Sequence, residues 1–268
     1  MHKAGTIYLA AAMGCLALTM SCGGASGERP VPFGGSGGAT GSGGASGEGG
    51  SSGSGGSGSG TGLDCTQAVT PQNGADETDG VVTDFTDWND DRGKWGDGAG
   101  LYGTIYQYAG PSSSMQTATI EGSPAGLHLT GGVASNDYGG GGLGFSVCMT
   151  AADYTQIQFT IMGQSPGCDI ELQIQTFDER PSDQDPPGGC DSDCYGFPVK
   201  KQAVDLSSEI TEPQVVTVPL TDFDGWSDSA AKQVVGLQWQ FSGTSVNNPD
   251  DGDTCPIDVT ISDARFLP

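Results

Sequence analysis

Three stretches of the chain alternate strictly between apolar and polar residues. They read YTQIQFTIMG, CDIELQIQTF and VVGLQWQFSG. Successive side chains of a β-strand point to opposite faces, so this period of two predicts three strands that are buried on one face and exposed on the other. The residues predicted to point inward are Ile157, Phe159, Ile161, Ile170, Leu172, Ile174, Val235, Leu237, Trp239 and Phe241.

Further strands are predicted at GVVTDFTDW, GLHLTGG, GLGFSVCM, QVVTVPL and PIDVTISDARF, with loops of Gly, Pro, Asp and Ser between them. The one weak helical pattern, SDSAAKQ, covers a turn or two. About eight antiparallel strands in roughly 200 residues predict an all-β protein with a jelly-roll β-sandwich.

The N-terminus has the pattern of an export signal. His2 and Lys3 precede an uncharged apolar run that is too short to span a bilayer comfortably. The run ends in LALTMSC, which resembles the lipobox of bacterial lipoproteins and implies that Cys22 is lipidated and becomes the mature N-terminus. Two alternatives stay open: Cys22 is an ordinary cysteine of a cleaved leader, or Cys15 is the modified residue.

The segment after Cys22 predicts a linker. Residues 23–62 are almost entirely Gly, Ser, Ala, Thr and Glu, which cannot bury enough apolar surface to order the chain. A flexible coil of this length has a typical end-to-end distance of roughly 35 Å. We therefore expect a signal peptide at 1–21, a lipid-anchored, disordered Gly/Ser-rich linker at 22–62 and a folded domain at 63–268. Gly23 favours the outer membrane or cell surface, since retention at the inner membrane is associated with aspartate there.

The net charge of the chain limits the classes of partner that it is expected to bind. The chain carries a formal net charge of −24, with its acidic residues spread over the predicted loops. Nucleic acid and anionic membrane surfaces both favour a basic face, so neither is expected as a partner, and contact with the membrane is expected through the lipid alone. Neutral ligands and cations remain compatible.

Six cysteines follow Cys22, and an even number in an exported domain predicts three disulfides. They are Cys65, Cys148, Cys168, Cys190, Cys194 and Cys255. Bridged Cα atoms lie within about 7 Å of each other. If consecutive strands run antiparallel, Cys168 sits at one end of the sandwich, and the opposite end holds Cys148, Cys190, Cys194 and Cys255. This predicts a Cys65–Cys168 bond and pairing among the other four. A zinc site at CDSDC is disfavoured because no histidine lies near it.

The strand order resembles a known family. VVTDF, GGGGLGFSVCMTAADYTQIQFTIMG, VVTVPLTDF, VVGLQWQF and VTISDARF follow one another as in the galactose-binding-like β-sandwich domains of bacterial surface proteins, which are related to carbohydrate-binding modules. The resemblance covers most of residues 75–268. It implies glycan binding or a non-catalytic accessory role, often with a structural calcium.

A calcium site is predicted at the last strand. Asp263 continues the inward series of Ile257, Val259 and Ile261, and Asp84 of the first strand is its best partner. Two carboxylates with backbone carbonyls suit this oxygen-seeking ion. A β-bulge, or an ion pair between Asp263 and a basic residue such as Arg265, is the alternative. No organic cofactor is expected.

The sequence contains few of the features expected of a catalytic site. His128 is the one histidine after the leader, and no GxSxG nucleophile motif is present. The glycine run in DYGGGGLGF has no following helix or basic residue, which favours a turn or a close backbone approach over a phosphate site. An enzyme is therefore the least favoured class.

The polar faces of the three alternating strands carry glutamine: Gln156, Gln158, Gln173, Gln175, Gln238 and Gln240. If these strands adjoin in one sheet, the amides form a continuous surface that can donate to and accept from sugar hydroxyls. Tyr138 is predicted to stack on a sugar ring; Tyr102, Tyr106, Tyr108, Trp88, Trp95 and Trp226 are further candidates.

These patterns predict a surface-anchored, non-catalytic glycan-binding lipoprotein. The alternatives are a structural or adhesive lipoprotein that binds another protein, with the amide face merely solvated, and an accessory domain of a polysaccharide-degrading system.

Overall fold

A computed structural model describes residues 63–73, 80–89, 93–96, 100–122, 125–243 and 254–268. The leader, Cys22 and the linker lie outside these residues, so what the sequence predicts about them stays a prediction. No helix within the described ranges is long and apolar enough to cross a membrane.

Strands dominate the described chain, and the all-β prediction is confirmed. In chain order they are β1 (Gln72–Asn73), β2 (Gly80–Thr83), β3 (Lys94–Trp95), β4 (Gly103–Ala109), β5 (Ser114–Met115), β6 (Thr119–Glu121), β7 (Gly126–Ala134), β8 (Tyr138–Met149), β9 (Gln156–Gln164), β10 (Asp169–Thr176), β11 (Val199–Lys201), β12 (Ile210–Pro219), β13 (Val234–Ser242) and β14 (Thr254–Leu267). Short 3-10 helices lie at Cys65–Gln67, Phe177–Glu179, Leu220–Asp222 and Ala230–Lys232.

The strands form two antiparallel sheets packed as a sandwich. The six-stranded sheet has the order β11-β10-β13-β8-β4-β3. In the eight-stranded sheet, β14 pairs with β9 along one side and with β7 and β2 along the other, while β12 lies outside β9. The predicted β-sandwich is therefore confirmed.

The core lies between the sheets and contains the residues that the alternation predicts, except Val235, which packs with Leu63 and Cys148 in a second cluster at a register shift in β13. Every residue of the predicted inward set is buried. Phe159 of the eight-stranded sheet meets Trp239 of the six-stranded sheet edge to face, with ring centroids 5.6 Å apart. Burying a large apolar side chain contributes about 1.5–3 kcal/mol, so this interface supplies the main drive for folding.

Three disulfides lie in the described part of the chain, but the predicted pairing is wrong. The bonds are Cys65–Cys148, Cys168–Cys255 and Cys190–Cys194. In a chain-entropy model, the first two close loops of more than 80 residues and contribute about 4.6 kcal/mol each, whereas the third closes a very short loop and contributes about 2 kcal/mol.

Strand direction explains the difference. Because β9 and β14 are direct antiparallel neighbours, the end of β9 lies beside the start of β14, which brings Cys168 to Cys255. The N-terminal segment meanwhile runs beside the end of β8, where Val69 N donates to Cys148 O at 2.8 Å. That contact places Cys65 next to Cys148.

Candidate functional site

Strand β8 forms a groove in the outer surface of the six-stranded sheet because its outward positions are glycine. Gly142 lies between Gln238 of β13 and Tyr106 of β4, and Gly140 occupies the next outward position. A Cβ on Gly142 would collide with the Leu237 carbonyl oxygen and lie 2.9 Å from the Tyr106 hydroxyl. The glycine run therefore provides a close approach, as predicted, and lets side chains meet across the strand.

Tyr106 and three glutamines form a hydrogen-bonded network over this groove. Gln238 Oε1 accepts from Tyr106 Oη and from Gln175 Nε2, each at 2.9 Å. Gln175 Nε2 also lies 2.9 Å from Tyr106 Oη, and Gln238 Nε2 donates to Gln173 Oε1 at 3.0 Å. Gln175 and Gln238 are each only 5% exposed, so the network is largely closed to solvent at these two residues.

The Tyr106 network is the first row of hydrogen-bonded side chains across these strands. A second row crosses the same strands two residues further along each of them. Tyr108 Oη donates to Gln240 Oε1 at 3.2 Å, and Gln240 Nε2 donates to Glu171 Oε2 at 3.3 Å. Lys201 of β11 pairs in register with Glu171. In the part of the chain that the structure describes, Gln173 Nε2 and Glu171 Oε1 have no hydrogen-bond partner. These two groups remain available to a ligand.

A cleft of about 380 Å³ lies over the second row and over Gln173 and Gln238 of the first row, while Tyr106 and Gln175 do not line it. Tyr108 borders it on the β4 side, and β11 with the loop before it borders the other. The lining residues are Tyr108, Glu171, Gln173, Tyr195, Phe197, Val199, Lys201, Asp224, Gln238 and Gln240.

Three tyrosines follow one another along the β4 and β8 side. The ring centroids of Tyr106 and Tyr108 are 6.3 Å apart, as are those of Tyr108 and Tyr138. Burial raises the pKa of each of the three phenols. Their hydroxyls are therefore protonated at neutral pH and can donate.

Tyr195 contributes a ring from the β10–β11 loop. Its φ of +70° is a left-handed conformation that a bulky residue rarely adopts and that costs about 1–3 kcal/mol. Its backbone N donates to Glu179 O at 2.8 Å, Gln184 Nε2 lies 3.3 Å from its hydroxyl, and its ring meets Phe197 edge to face at 6.0 Å. The sequence did not lead us to Tyr195 or Phe197 as site residues, although CDSDCYGF places them directly after two closely spaced cysteines.

Four of the six predicted glutamines lie on the six-stranded sheet, and two do not. The prediction that all three strands adjoin is wrong, because β9 pairs with β12 and β14 in the other sheet. Gln156 and Gln158 are therefore on the far side of the sandwich, where Gln158 Nε2 donates to Thr217 Oγ1 at 2.9 Å. Of the aromatic candidates, Trp95 is fully buried and cannot stack on a ligand.

The two predicted calcium ligands have partners of their own. Asp263 pairs with the Arg265 guanidinium at a register shift in β14, and Asp84 Oδ1 accepts from Thr86 N at 3.0 Å and Oγ1 at 2.7 Å. Burial opposes ionisation of Asp84, but the Thr86 bonds and the Arg265 charge outweigh it and lower its pKa. No group of three or more potential metal ligands occurs among the described residues. Calcium binding stays a prediction.

His128 lies on β7 in the eight-stranded sheet, away from the cleft. Its Nδ1 is 3.1 Å from Glu121 Oε2, and its Nε2 is 2.8 Å from Asp258 Oδ1. Both ring nitrogens therefore have partners, as expected for a surface histidine with a structural role.

No protein-family model matches the chain, and no curated protein matches it. Solved structures do match. The family 11 carbohydrate-binding module of cellulosomal cellulase Lic26A-Cel5E from Clostridium thermocellum shares 9% identity over 70% of this chain and 94% of its own, with a TM-score of 0.44. A family 11 module of the same organism, in complex with a β-1,3-1,4-mixed-linked tetrasaccharide, shares 10% identity over 61% and 88%, with a TM-score of 0.42.

The family 30 module of cellulosomal cellulase Cel9D-Cel44B, also from Clostridium thermocellum, shares 14% identity over 62% of this chain and 91% of its own, with a TM-score of 0.39. These three structures are carbohydrate-binding modules. Because their TM-scores are below 0.5, they do not decide what this chain binds.

Proposed function

We propose that this protein is a non-catalytic glycan-binding protein whose cleft on the six-stranded sheet takes a neutral saccharide. One observation carries the proposal: a single depression combines free polar groups, at Gln173 and Glu171, with tyrosine rings. Oligosaccharides require both kinds of contact, because each sugar has hydroxyls around its rim and C–H groups on its faces.

The free groups match the chemistry of sugar hydroxyls. A hydroxyl both donates and accepts, so it can donate to Glu171 Oε1 and accept from Gln173 Nε2. Each hydrogen bond contributes about 0.5–1.5 kcal/mol net, since water competes for the same groups. A few such bonds and one stacked ring correspond to roughly millimolar to micromolar affinity.

Charge at the cleft favours a neutral ligand. Glu171 and Asp224 line the cleft with Lys201, and the whole chain carries a net charge of −24. This field repels polyanionic glycans and leaves neutral ones unaffected. Binding of a neutral saccharide should accordingly change little with ionic strength.

The proposed anchor suits this arrangement. Cys65, at the start of the described chain, is bonded to Cys148 near the end of β8, whereas Gly140 and Gly142 lie near its start. Six to eight residues of strand separate these positions by roughly 20–26 Å. A lipid on Cys22 would hold the protein from the end remote from the cleft, and several copies on one membrane would gain avidity from a polymeric ligand.

Calorimetry against defined oligosaccharides tests the proposal. The mature chain is titrated with cellohexaose, xylohexaose and mannohexaose, and with hexagalacturonate as an acidic comparison. Gln173→Ala should weaken binding of the preferred neutral sugar about fivefold, the loss of one hydrogen bond. Gln158→Ala, the same change on the opposite sheet, should leave it unaltered.

Three results would each contradict a different part of the proposal. Equal affinities of wild type and Gln173→Ala would move the site away from this cleft. Absence of binding to all neutral sugars would reject the function itself. Release of shortened sugars during incubation would contradict the non-catalytic assignment.

A further inference from the structure

We infer that Tyr195 determines the specificity of the cleft and that the Cys190–Cys194 disulfide is the element that positions its ring. This inference rests on the proposed glycan-binding function and concerns the same site. Tyr195 lies immediately after Cys194 and lines the cleft on the β11 side.

The backbone at Tyr195 adopts a conformation that must be imposed by its surroundings. Asp193 and Tyr195 have φ values of +53° and +70°. Non-glycine residues in this region are uncommon, and bulky ones are outliers that persist only where neighbouring structure fixes them. Two such residues within three positions, beside a cleft, indicate that the direction of the Tyr195 side chain matters.

The contacts of the loop show what fixes it. Cys190 N donates to Arg180 O at 3.0 Å, and Ser182 N donates to Cys190 O at 2.8 Å, so Cys190 is tied to the chain that leaves β10. The disulfide joins Cys194 to this fixed point. On the other side of Tyr195, Gly196 N donates to Glu179 Oε2 at 2.9 Å. The residue is therefore held from both directions.

The size of the disulfide loop separates this role from general stabilisation. A cross-link stabilises a fold mainly by restricting the unfolded chain, and this effect grows with the length of the closed loop. Cys190 and Cys194 are only four positions apart, against 83 for Cys65 and Cys148. The short bond therefore adds least to global stability, and its effect on the position of Tyr195 can be distinguished from its effect on unfolding.

The position of Tyr195 defines the class of ligand. Its ring lines the cleft together with Phe197, Gln173 and Glu171, so aromatic carbon and polar groups border the same space. A pyranose with equatorial hydroxyls presents C–H groups on its faces and hydroxyls at its rim, which matches a ring at the side and polar groups beneath. Sugars with axial hydroxyls present a polar face to the ring and should bind less well.

Variants at the loop test the inference. Mannohexaose, which has axial hydroxyls, should bind less tightly than cellohexaose and xylohexaose, whose hydroxyls are equatorial. The probe is whichever of the latter two the wild type binds better. Tyr195→Ala should weaken its binding about five- to tenfold, the loss of one stacked ring, while Tyr195→Phe retains most of the affinity. The Cys190→Ala/Cys194→Ala double variant should weaken binding to a similar extent and lower Tm by roughly 4–8 °C.

A matched disulfide provides the control. The Cys65→Ala/Cys148→Ala double variant should lower Tm by roughly 9–18 °C, because it opens a long loop, yet bind the sugar like wild type while folded. Wild-type affinity in Tyr195→Ala or in Cys190→Ala/Cys194→Ala would overturn the inference and leave the glycan-binding function standing.

A measurement without ligand tests the positioning step separately. In the wild type, NMR should show contacts between the ring protons of Tyr195 and Phe197, and these should be lost in Cys190→Ala/Cys194→Ala. Contacts that persist without the disulfide would show that it does not position the ring. If the wild type bound no saccharide at all, both the specificity role and the proposed function would be rejected.

Discussion

The Tyr106 hydroxyl donates a 2.9 Å hydrogen bond to Gln238 Oε1, a residue 132 positions further along the chain. The bond crosses a whole strand, because Gly142 between them has no side chain. Two side chains that are separated by β8 thereby act as neighbours. This arrangement gives the six-stranded sheet a groove in place of the usual corrugated surface.

A methyl group at Gly142 would fill the groove over β8. Gly142→Ala should destabilise the protein by about 1–3 kcal/mol, because the new Cβ collides with backbone and displaces Tyr106. It should also weaken glycan binding. Urea unfolding measures the first effect and calorimetry the second.

Gly144→Ala is the matched control on the same face of β8. Its Cβ would meet nothing closer than 3.7 Å, at Thr104 Oγ1, so stability should change by less than about 0.5 kcal/mol. Equal effects of the two substitutions would contradict the groove.

The Cys168–Cys255 bond should contribute strongly to stability. It joins the end of β9 to the start of β14 across 87 positions. Its removal in Cys168→Ala/Cys255→Ala should cost about 4.6 kcal/mol in a chain-entropy model. A non-reducing peptide map should show this linkage in the wild type; a Cys65–Cys168 peptide would disprove the strand directions described here.

Buried tyrosines should make stability fall at high pH. Burial raises the pKa of Tyr106 and Tyr108 above the usual value near 10. The unfolded chain therefore releases these protons first, so their contribution to stability is complete below about pH 10 and declines as pH rises further. Each tyrosine adds a slope of up to about 1.4 kcal/mol per pH unit.

Tyr106→Phe isolates this effect. Urea unfolding of wild type and variant at pH 9 and pH 11 should show a smaller decline in the variant, because one titrating group has been removed. The same decline in both proteins would mean that Tyr106 ionises equally easily in the folded and unfolded chain.

The anchor prediction concerns Cys22. The wild-type protein should fractionate with membranes, and its intact mass should exceed that of the chain from Cys22 by the attached acyl groups. Cys22→Ala should appear in the soluble fraction, because it has no site for lipid. An unmodified mass in the membrane fraction would reject lipidation.

Several features of this fold follow from local pattern alone. Trp239 could be placed in the core because it points to the same face of its strand as Leu237 and Phe241, and the structure buries all three. The period of two identifies a strand and its buried face regardless of where that strand pairs. The sequence likewise predicts an all-β sandwich with three disulfides.

Strand partners and the composition of the site depend on tertiary structure. Gln158 and Gln173 lie in equivalent alternating patterns, yet β9 and β10 belong to opposite sheets. The partner of Cys168 and the position of Tyr195 likewise follow from strand direction and loop contacts. Alternation is a property of a few consecutive residues, whereas pairing is decided by packing between segments far apart in the chain. That is why the strands and their buried faces could be predicted from the sequence, while the arrangement of the cleft could not.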